Sequence, residues 1–147
     1  MALDKDALTQ HIRQQIPLAD GMDFSIGQLD EQGITVHAPL SPNINVHGTG
    51  FAGSLYSLSA LAAWAYTTHL VEQNGVDADI VMAQAEIRYR RPVVTDIECV
   101  CHCDAEVGTA FLQHLEQKGR ARLSLVVEIG ADDDVVFSAT MVAIQRA

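Results

Sequence analysis

The sequence predicts an α+β fold in which an antiparallel sheet wraps around one long central helix. A stretch of 40 residues between Glu31 and Glu72 contains no Asp, Glu, Lys or Arg, although charged residues make up 19% of the chain. Its second half, residues 54–71, is apolar at 12 of 18 positions and on every side of a helical wheel, which is typical of a helix buried all round. Most other segments alternate with the period of strands, so a sheet has to supply that burial.

The segments before the central helix predict one helix and one hairpin. Residues 4–16 carry apolar side chains four apart, as in an amphipathic helix, and Pro17 ends it. Residues 24–29 and 34–38 alternate apolar and polar side chains on either side of a polar, glycine-containing turn, which is typical of a β-hairpin. The central helix follows a glycine-rich loop and closes near Asn74-Gly75.

The second half of the chain predicts four strands and one short helix. No linker, repeat or low-complexity tract interrupts it, so residues 1–147 are interpreted as a single domain. One curved sheet covers only part of a buried helix, and we therefore expect a partner subunit to cover the rest. The strands are expected around residues 83–90, 97–103, 121–129 and 135–143, and the short helix at 105–117.

Charge and composition exclude several classes of protein. A net charge of −10 argues against nucleic-acid binding and against attachment to anionic lipid. Residues 54–71 are barely long enough to span a bilayer and contain serine, threonine and histidine, so no membrane span is expected. The N-terminus lacks the pattern of a signal peptide, which favours a cytoplasmic location.

The three cysteines resemble a metal site at first sight. Because side chains alternate along a strand, Cys99, Cys101 and Cys103 share one face while His102 points to the other. We therefore expect small buried residues rather than a metal or redox site.

The loop before the central helix carries residue types that suit chemistry at a carbonyl group. Unsatisfied amides at a helix start, here around residues 50–54, can stabilise a developing oxyanion; alternatively, the glycines only allow a sharp turn. His47 is a candidate general base, with Asn43 or Asn45 orienting water or the carbonyl, although a structural histidine is the alternative. The candidate oxyanion amides are those of Gly50, Phe51, Ala52, Gly53 and Ser54.

Other candidate residues would bind the substrate. Tyr56 and Ser57 lie on the first turns of the helix and could line a pocket. Arginines gathered in two short segments could hold phosphates, or they could be solvent-facing positions of ordinary strands. The arginines are Arg88, Arg90 and Arg91, followed by Arg120 and Arg122.

Two stretches carry a resemblance to a known superfamily. Residues 43–55, NINVHGTGFAGSL, are similar to the Asn…His-Gly-Gly opening of the central helix in acyl-CoA thioesterases of the phenylacetate-pathway type. Residues 87–93, IRYRRPV, resemble the strand and Arg-Pro-Val turn of the hot-dog superfamily, and residues 47–58 resemble the thioesterase domain of the YiiD C-terminal type. The resemblance implies a hot-dog fold, subunits paired edge to edge as a homodimer or a higher homo-oligomer, and action on acyl thioesters.

The chain departs from the phenylacetate-type pattern at one position. Those enzymes carry an acidic residue about two turns after the His-Gly, whereas no Asp or Glu lies between His47 and Glu72 here. Glu86 or Asp96 could replace that acid. The resemblance as a whole predicts a thioesterase that acts on acyl-CoA or on an acyl carrier and needs no cofactor. The alternatives are a non-catalytic acyl-binding or assembly module, and a hydratase or dehydratase.

Overall fold

A six-stranded antiparallel sheet curves around the long helix of the chain in the computed structural model, which describes residues 3–147. The strand order is β1-β2-β4-β5-β6-β3, so the third strand in sequence lies at an edge beside the last. The elements are α1 (Lys5–Gln15), α2 (Pro17–Gly21), β1 (Ser25–Asp30), β2 (Gly33–Ala38), α3 (Ala52–Gln73), β3 (Ala78–Tyr89), β4 (Ile97–His102), α4 (Ala105–Lys118), β5 (Arg120–Ile129) and β6 (Val135–Gln145).

The long helix α3 lies in the concave face of the sheet, as predicted. Of its 22 residues, 13 are buried, among them Leu58 and Tyr66, which are wholly inaccessible to solvent. Burial is not uniform, however. The first half of α3 has a side that the sheet leaves half-buried, because the curved sheet of one chain reaches only part of the way around the helix. The half-buried residues at helical spacing on that side are Gly53, Ser57, Ala60 and Trp64.

The two edges of the sheet differ in how they are covered. At β1, helix α1 lies over the edge: the Ile26 amide donates to Thr9 Oγ1 at 3.1 Å, and Lys5 Nζ donates to the Gly27 carbonyl at 2.8 Å. At the opposite edge, β3 is 12 residues long and pairs with β6 on one side only. An unprotected strand edge is a template for pairing with another chain.

Most elements agree with the sequence predictions within a few residues. Two differences have clear causes. Pro17 does end α1, but it also occupies the first position of the short helix α2, where proline needs no hydrogen-bond donor. Strand β3 begins at Ala78, five residues before the predicted start, because the register with β6 shifts between Met82 and Gln84 and interrupts the alternation there.

The cysteine face predicted from alternation is confirmed. Cys99, Cys101 and Cys103 point into the core and are at most 4% exposed, whereas His102 is on the outer face beside Asp104. Burial raises the pKa of both Cys99 and Cys101 to about 12. Residues 3–147 hold no grouping of three or more His, Cys, Asp or Glu that could bind a metal ion.

Candidate active site

The loop between β2 and α3 is organised by the side chain of Asn45. Its Oδ1 accepts from the amides of His47 at 2.9 Å and Thr49 at 3.1 Å, and its Nδ2 donates to Thr49 Oγ1 and to the Gly50 carbonyl. Gly48 takes a left-handed conformation at the tip, with φ of 77°. All four hydrogen-bonding positions of the Asn45 amide are therefore used within the loop.

Asn43 fastens the base of the same loop to the body of the protein. It ends a 3-10 turn at Ser41–Asn43, is 1% exposed, and donates from Nδ2 to the carbonyls of Met22 at 2.9 Å and Pro39 at 2.8 Å. The main-chain carbonyl of Asn43 accepts a hydrogen bond from the Phe51 amide at 2.8 Å. The side-chain Oδ1 of Asn43 is buried and has no hydrogen-bond partner among residues 3–147. These contacts fasten the loop, and the role of Asn43 in orienting water or substrate stays a prediction.

Some backbone amides at the start of α3 have hydrogen-bond acceptors and others have none. Gly50 donates to the Val93 carbonyl at 2.8 Å and Phe51 donates to Asn43, so these two candidate oxyanion donors already have partners. Phe51 stands at the N-cap and supplies no side-chain hydrogen bond. The amides of Ala52, Gly53 and Ser54 have no acceptor among residues 3–147. These three are the donors that remain for a ligand.

Close packing explains the glycine in this turn. A Cβ atom at Gly53 would lie 2.5 Å from Cε2 of Phe51, whose ring folds over the helix start. A larger residue at this position would have to displace that ring. Phe51 itself is half exposed, so its ring forms an apolar wall beside the free amides.

A cavity of about 320 Å3 lies at the junction of the loop, the helix start and the segment after β3. We call it the junction cavity. Its lining residues are Asn45, Thr49, Gly50, Ala52, Leu55, Tyr89, Arg90, Arg91, Pro92 and Val93.

Tyr89 is a residue of the junction cavity that the site prediction missed. Its hydroxyl donates to the Ala52 carbonyl at 2.9 Å and joins the end of β3 to the start of α3. Burial, and then the neighbouring Tyr56, raise the pKa of Tyr89, so the hydroxyl remains protonated at neutral pH. Tyr56 packs edge-on against Phe137 with ring centroids 5.2 Å apart. The available sequence signal is alternation, since Tyr89 follows Ala85 and Ile87 at every second position of the strand.

His47 and Ser57 lie outside the junction cavity. His47 is exposed near the tip of the loop, two residues from Asn45, and no carboxylate lies within ion-pair distance of its ring among residues 3–147. Ser57 is half-buried one turn further along α3. The catalytic role predicted for His47 therefore remains a prediction.

The arginines divide between the cavity and the outer face of the sheet. Arg91 Nε donates to Asp134 Oδ1 at 2.9 Å, which raises the pKa of Arg91 and holds its guanidinium at the cavity rim. Arg90 lies at the same rim and also, with Arg88, lines a shallow depression on the outer face. Arg120 and Arg122 are on the outer face near the other end of the sheet and do not join this group.

Neither acid proposed as a substitute lies in the junction cavity. Asp96 Oδ1 accepts from the Leu40 amide at 2.9 Å and fixes the start of the charge-free loop. Glu86 is exposed on the outer face of β3 beside Arg88. The junction cavity contains hydrogen-bond donors and two cations but no carboxylate.

A family model and several solved structures match this chain. A family model described as "Putative thioesterase (yiiD_Cterm)" matches residues 5–143. None of the helices in the part of the chain that the structure describes is long and apolar enough to cross a membrane.

Solved structures match over nearly the whole chain. A protein of unknown function from Chlorobaculum tepidum is 28% identical with a TM-score of 0.90, covering 97% of this chain and 94% of that one. A protein from Shewanella oneidensis described as a "putative thioesterase" is 30% identical with a TM-score of 0.84, covering 95% and 96%. A "probable thioesterase" from Pseudomonas aeruginosa has a TM-score of 0.81 at 18% identity, covers 99% of both chains, and supports the fold alone. The predicted hot-dog fold is confirmed.

Proposed function

The chain belongs to the YiiD C-terminal thioesterase family, and we propose that it hydrolyses an acyl thioester at the start of α3. One observation carries the proposal most directly. The amides of Ala52, Gly53 and Ser54 have no acceptor among residues 3–147, and the first of these residues, Ala52, lines the junction cavity. Donors at a helix start stabilise negative charge that develops on a carbonyl oxygen.

The reaction divides into addition and elimination. Water loses a proton to a base and adds to the thioester carbon, and the carbonyl oxygen becomes an oxyanion held by the free amides. The oxyanion then collapses, the carbon–sulfur bond breaks, and the sulfur leaves as a thiolate that takes up a proton. His47 is the base we propose, acting through water or after movement of its loop.

Coenzyme A is the thiol half of the substrate that we propose. Arg90 at the cavity rim and Arg88 next to it on the outer face present guanidinium groups that suit its phosphates. Arg91 at the same rim would have to exchange its bond to Asp134 for a phosphate. No cofactor takes part in this scheme. A cytoplasmic location follows from the use of such a substrate.

We expect the working unit to be a homodimer paired through β3. That edge of the sheet is open, and Val81 and Met82 expose apolar surface along it. Ala83, near the middle of β3, is exposed and would meet its own copy near a two-fold axis. Ala83→Lys should place two like charges there and shift the mass from dimer to monomer in analytical ultracentrifugation. Ala110→Lys, on the exposed side of α4, is the matched control, and loss of the dimer in the control would contradict this pairing.

A non-catalytic acyl-thioester-binding module is the second candidate. The observation in its favour is the absence of a carboxylate from the junction cavity. Tight binding of acyl-CoA without release of thiol would identify it.

The proposed hydrolysis is tested by removing one amide. Ala52 is the first residue of α3, and Phe51 before it is extended, with ψ of 128°, so proline fits there without breaking the helix. Ala52→Pro should lower kcat/KM by about 100-fold because one oxyanion donor is lost. Ala52→Ser keeps the amide and is the matched control. Equal activity of the two variants, with helix content unchanged by circular dichroism, would refute the assigned amides.

A further inference from the structure

The first turn of α3 lacks the usual constraints of a helix start. Phe51 at the N-cap supplies no side-chain hydrogen bond, and the turn contains no acidic residue. Gly53, the second residue of the helix, is less favourable there than alanine by about 1 kcal/mol, because a residue without a Cβ atom has more conformations to lose. An uncapped turn that contains glycine frays easily. Donors to an oxyanion, however, have to be oriented before the reaction begins.

A side chain from another element holds this turn in place. Tyr89, the last residue of β3, donates its hydroxyl proton to the Ala52 carbonyl at 2.9 Å, although 37 residues separate the two along the chain. The main chain at Tyr89 is itself paired with Val135 of β6. Because burial and the neighbouring Tyr56 raise the pKa of Tyr89, its hydroxyl carries a proton to donate at neutral pH.

The bond from Tyr89 is made to the peptide group that also carries the Gly53 amide. The peptide bonds that the structure describes are all trans, so the Ala52 carbonyl and the Gly53 N–H lie in one plane and point in opposite directions. A donor held to the carbonyl therefore fixes the direction of the N–H. It also draws electron density toward the carbonyl oxygen, which makes the N–H a stronger donor through the cooperativity of linked hydrogen bonds.

The other free amides have no such support. The amide of Ala52 shares its peptide group with the Phe51 carbonyl, which accepts from the Leu55 amide at 3.0 Å, within the helix. The amide of Ser54 shares its peptide group with the Gly53 carbonyl. No side chain among residues 3–147 donates to either of these two carbonyls. The hydroxyl of Tyr89 therefore acts on one particular donor.

We propose that Tyr89 is a positioning residue of the active site, whose hydroxyl orients and polarises the Gly53 amide through the Ala52–Gly53 peptide group. The inference rests on the proposed function, because the oxyanion is placed at the amides of α3. Tyr89 acts on the donor and not on the substrate. It therefore stabilises the transition state, in which the carbonyl oxygen carries charge, and contributes little to binding of the uncharged thioester.

The kinetic test removes the hydroxyl and keeps the ring. Acetyl-, hexanoyl- and palmitoyl-CoA are assayed for release of thiol. Tyr89→Phe should lower kcat by about 3–10-fold, the effect of one hydrogen bond, and leave KM unchanged. Tyr66→Phe is the matched control, because Tyr66 also donates its hydroxyl to a main-chain carbonyl, that of Glu31 at 2.6 Å, but lies in the second half of α3. It should retain kcat at temperatures where both variants are folded.

A spectroscopic test observes the peptide group itself. Ala52-Gly53 is the only Ala-Gly pair in the sequence. In protein labelled with carbon-13 at the alanine carbonyl and with nitrogen-15 in glycine, a spectrum selected for the coupling between the two labels therefore shows the Gly53 amide alone. A carbonyl that loses a hydrogen bond shifts upfield, as does the nitrogen bonded to it. Tyr89→Phe should move both resonances upfield, and Tyr66→Phe should leave them in place.

The possible failures are distinct. Hydrolysis by wild type with equal kcat in Tyr89→Phe would overturn the inference and leave the proposed hydrolase standing. A raised KM at unchanged kcat would also overturn it, because Tyr89 would then contact the substrate. Resonances of Ala52 and Gly53 that do not move in Tyr89→Phe would refute the bond to this peptide group, whatever the activity. If wild type releases no thiol, the proposed hydrolysis is refuted, whereas an upfield shift in Tyr89→Phe would still support the orientation of the amide.

Discussion

Replacing Asn43 by alanine distinguishes a structural from a catalytic role for this residue. The side chain is 1% exposed, and its Nδ2 donates to the carbonyls of Met22 and Pro39. Alanine removes both hydrogen bonds and leaves two carbonyls in an interior that gives water little access. Each buried group left unsatisfied costs about 1–3 kcal/mol. Two orphaned carbonyls, offset by removal of the Asn43 Oδ1 that is itself buried without a partner, give an expected net loss of about 2 kcal/mol in the free energy of unfolding.

That loss is measurable by two methods. For a domain of this size, about 2 kcal/mol corresponds to a fall in Tm of about 4–8 °C. Urea unfolding followed by circular dichroism should show a lower midpoint with an unchanged slope. Asn74→Ala is the matched control: Asn74 also donates from Nδ2 to one carbonyl, that of Leu70, but its side chain is exposed and water can replace the bond. We expect the control to lose less than about 1 kcal/mol.

Activity then decides the role. If Asn43 only fastens the loop, the folded fraction of Asn43→Ala keeps most of its turnover at low temperature. An unchanged Tm together with abolished turnover would refute the structural reasoning and restore the role predicted from the sequence.

Three further outcomes are expected. Thr68→Val should raise the free energy of unfolding by about 1 kcal/mol because an unpaired buried hydroxyl is removed, whereas Thr67→Val should lower it by a similar amount because the Thr67 hydroxyl donates to the Ala63 carbonyl; urea midpoints that change in the opposite order would contradict this. Burial raises the pKa of the Cys99 and Cys101 thiols to about 12. The free energy of unfolding should therefore be constant below about pH 8.5, the pKa of an unfolded thiol, and should fall as the pH rises toward 12. A free energy of unfolding that does not change between about pH 8 and 11 would contradict this prediction. His47→Ala should lower kcat by about 100-fold with Tm unchanged, since the side chain is exposed, and full activity would exclude His47 as base.

The site was predictable from sequence in position but not in detail. The charge-free stretch and its glycine-rich start located the junction between loop and helix, and alternation assigned the cysteines to the inner face. The hydrogen-bond partners of these groups could not be predicted from the sequence. Gly50 donates to Val93, 43 residues away along the chain, and Asn43 donates to Met22, 21 residues before it. Neither contact leaves a periodic signal.

Local periodicity by itself determined the elements of this protein, because the spacing of apolar residues along a helix or strand reflects burial over a few neighbouring positions. Tertiary structure alone decided which amides of the helix start remain free, that β3 begins at Ala78, and that the hydroxyl of Thr68 is buried without a partner among residues 3–147. Each of these depends on where the ends of β3 come to lie beside α3. That arrangement results from long-range packing of the whole sheet, which no short window of sequence contains.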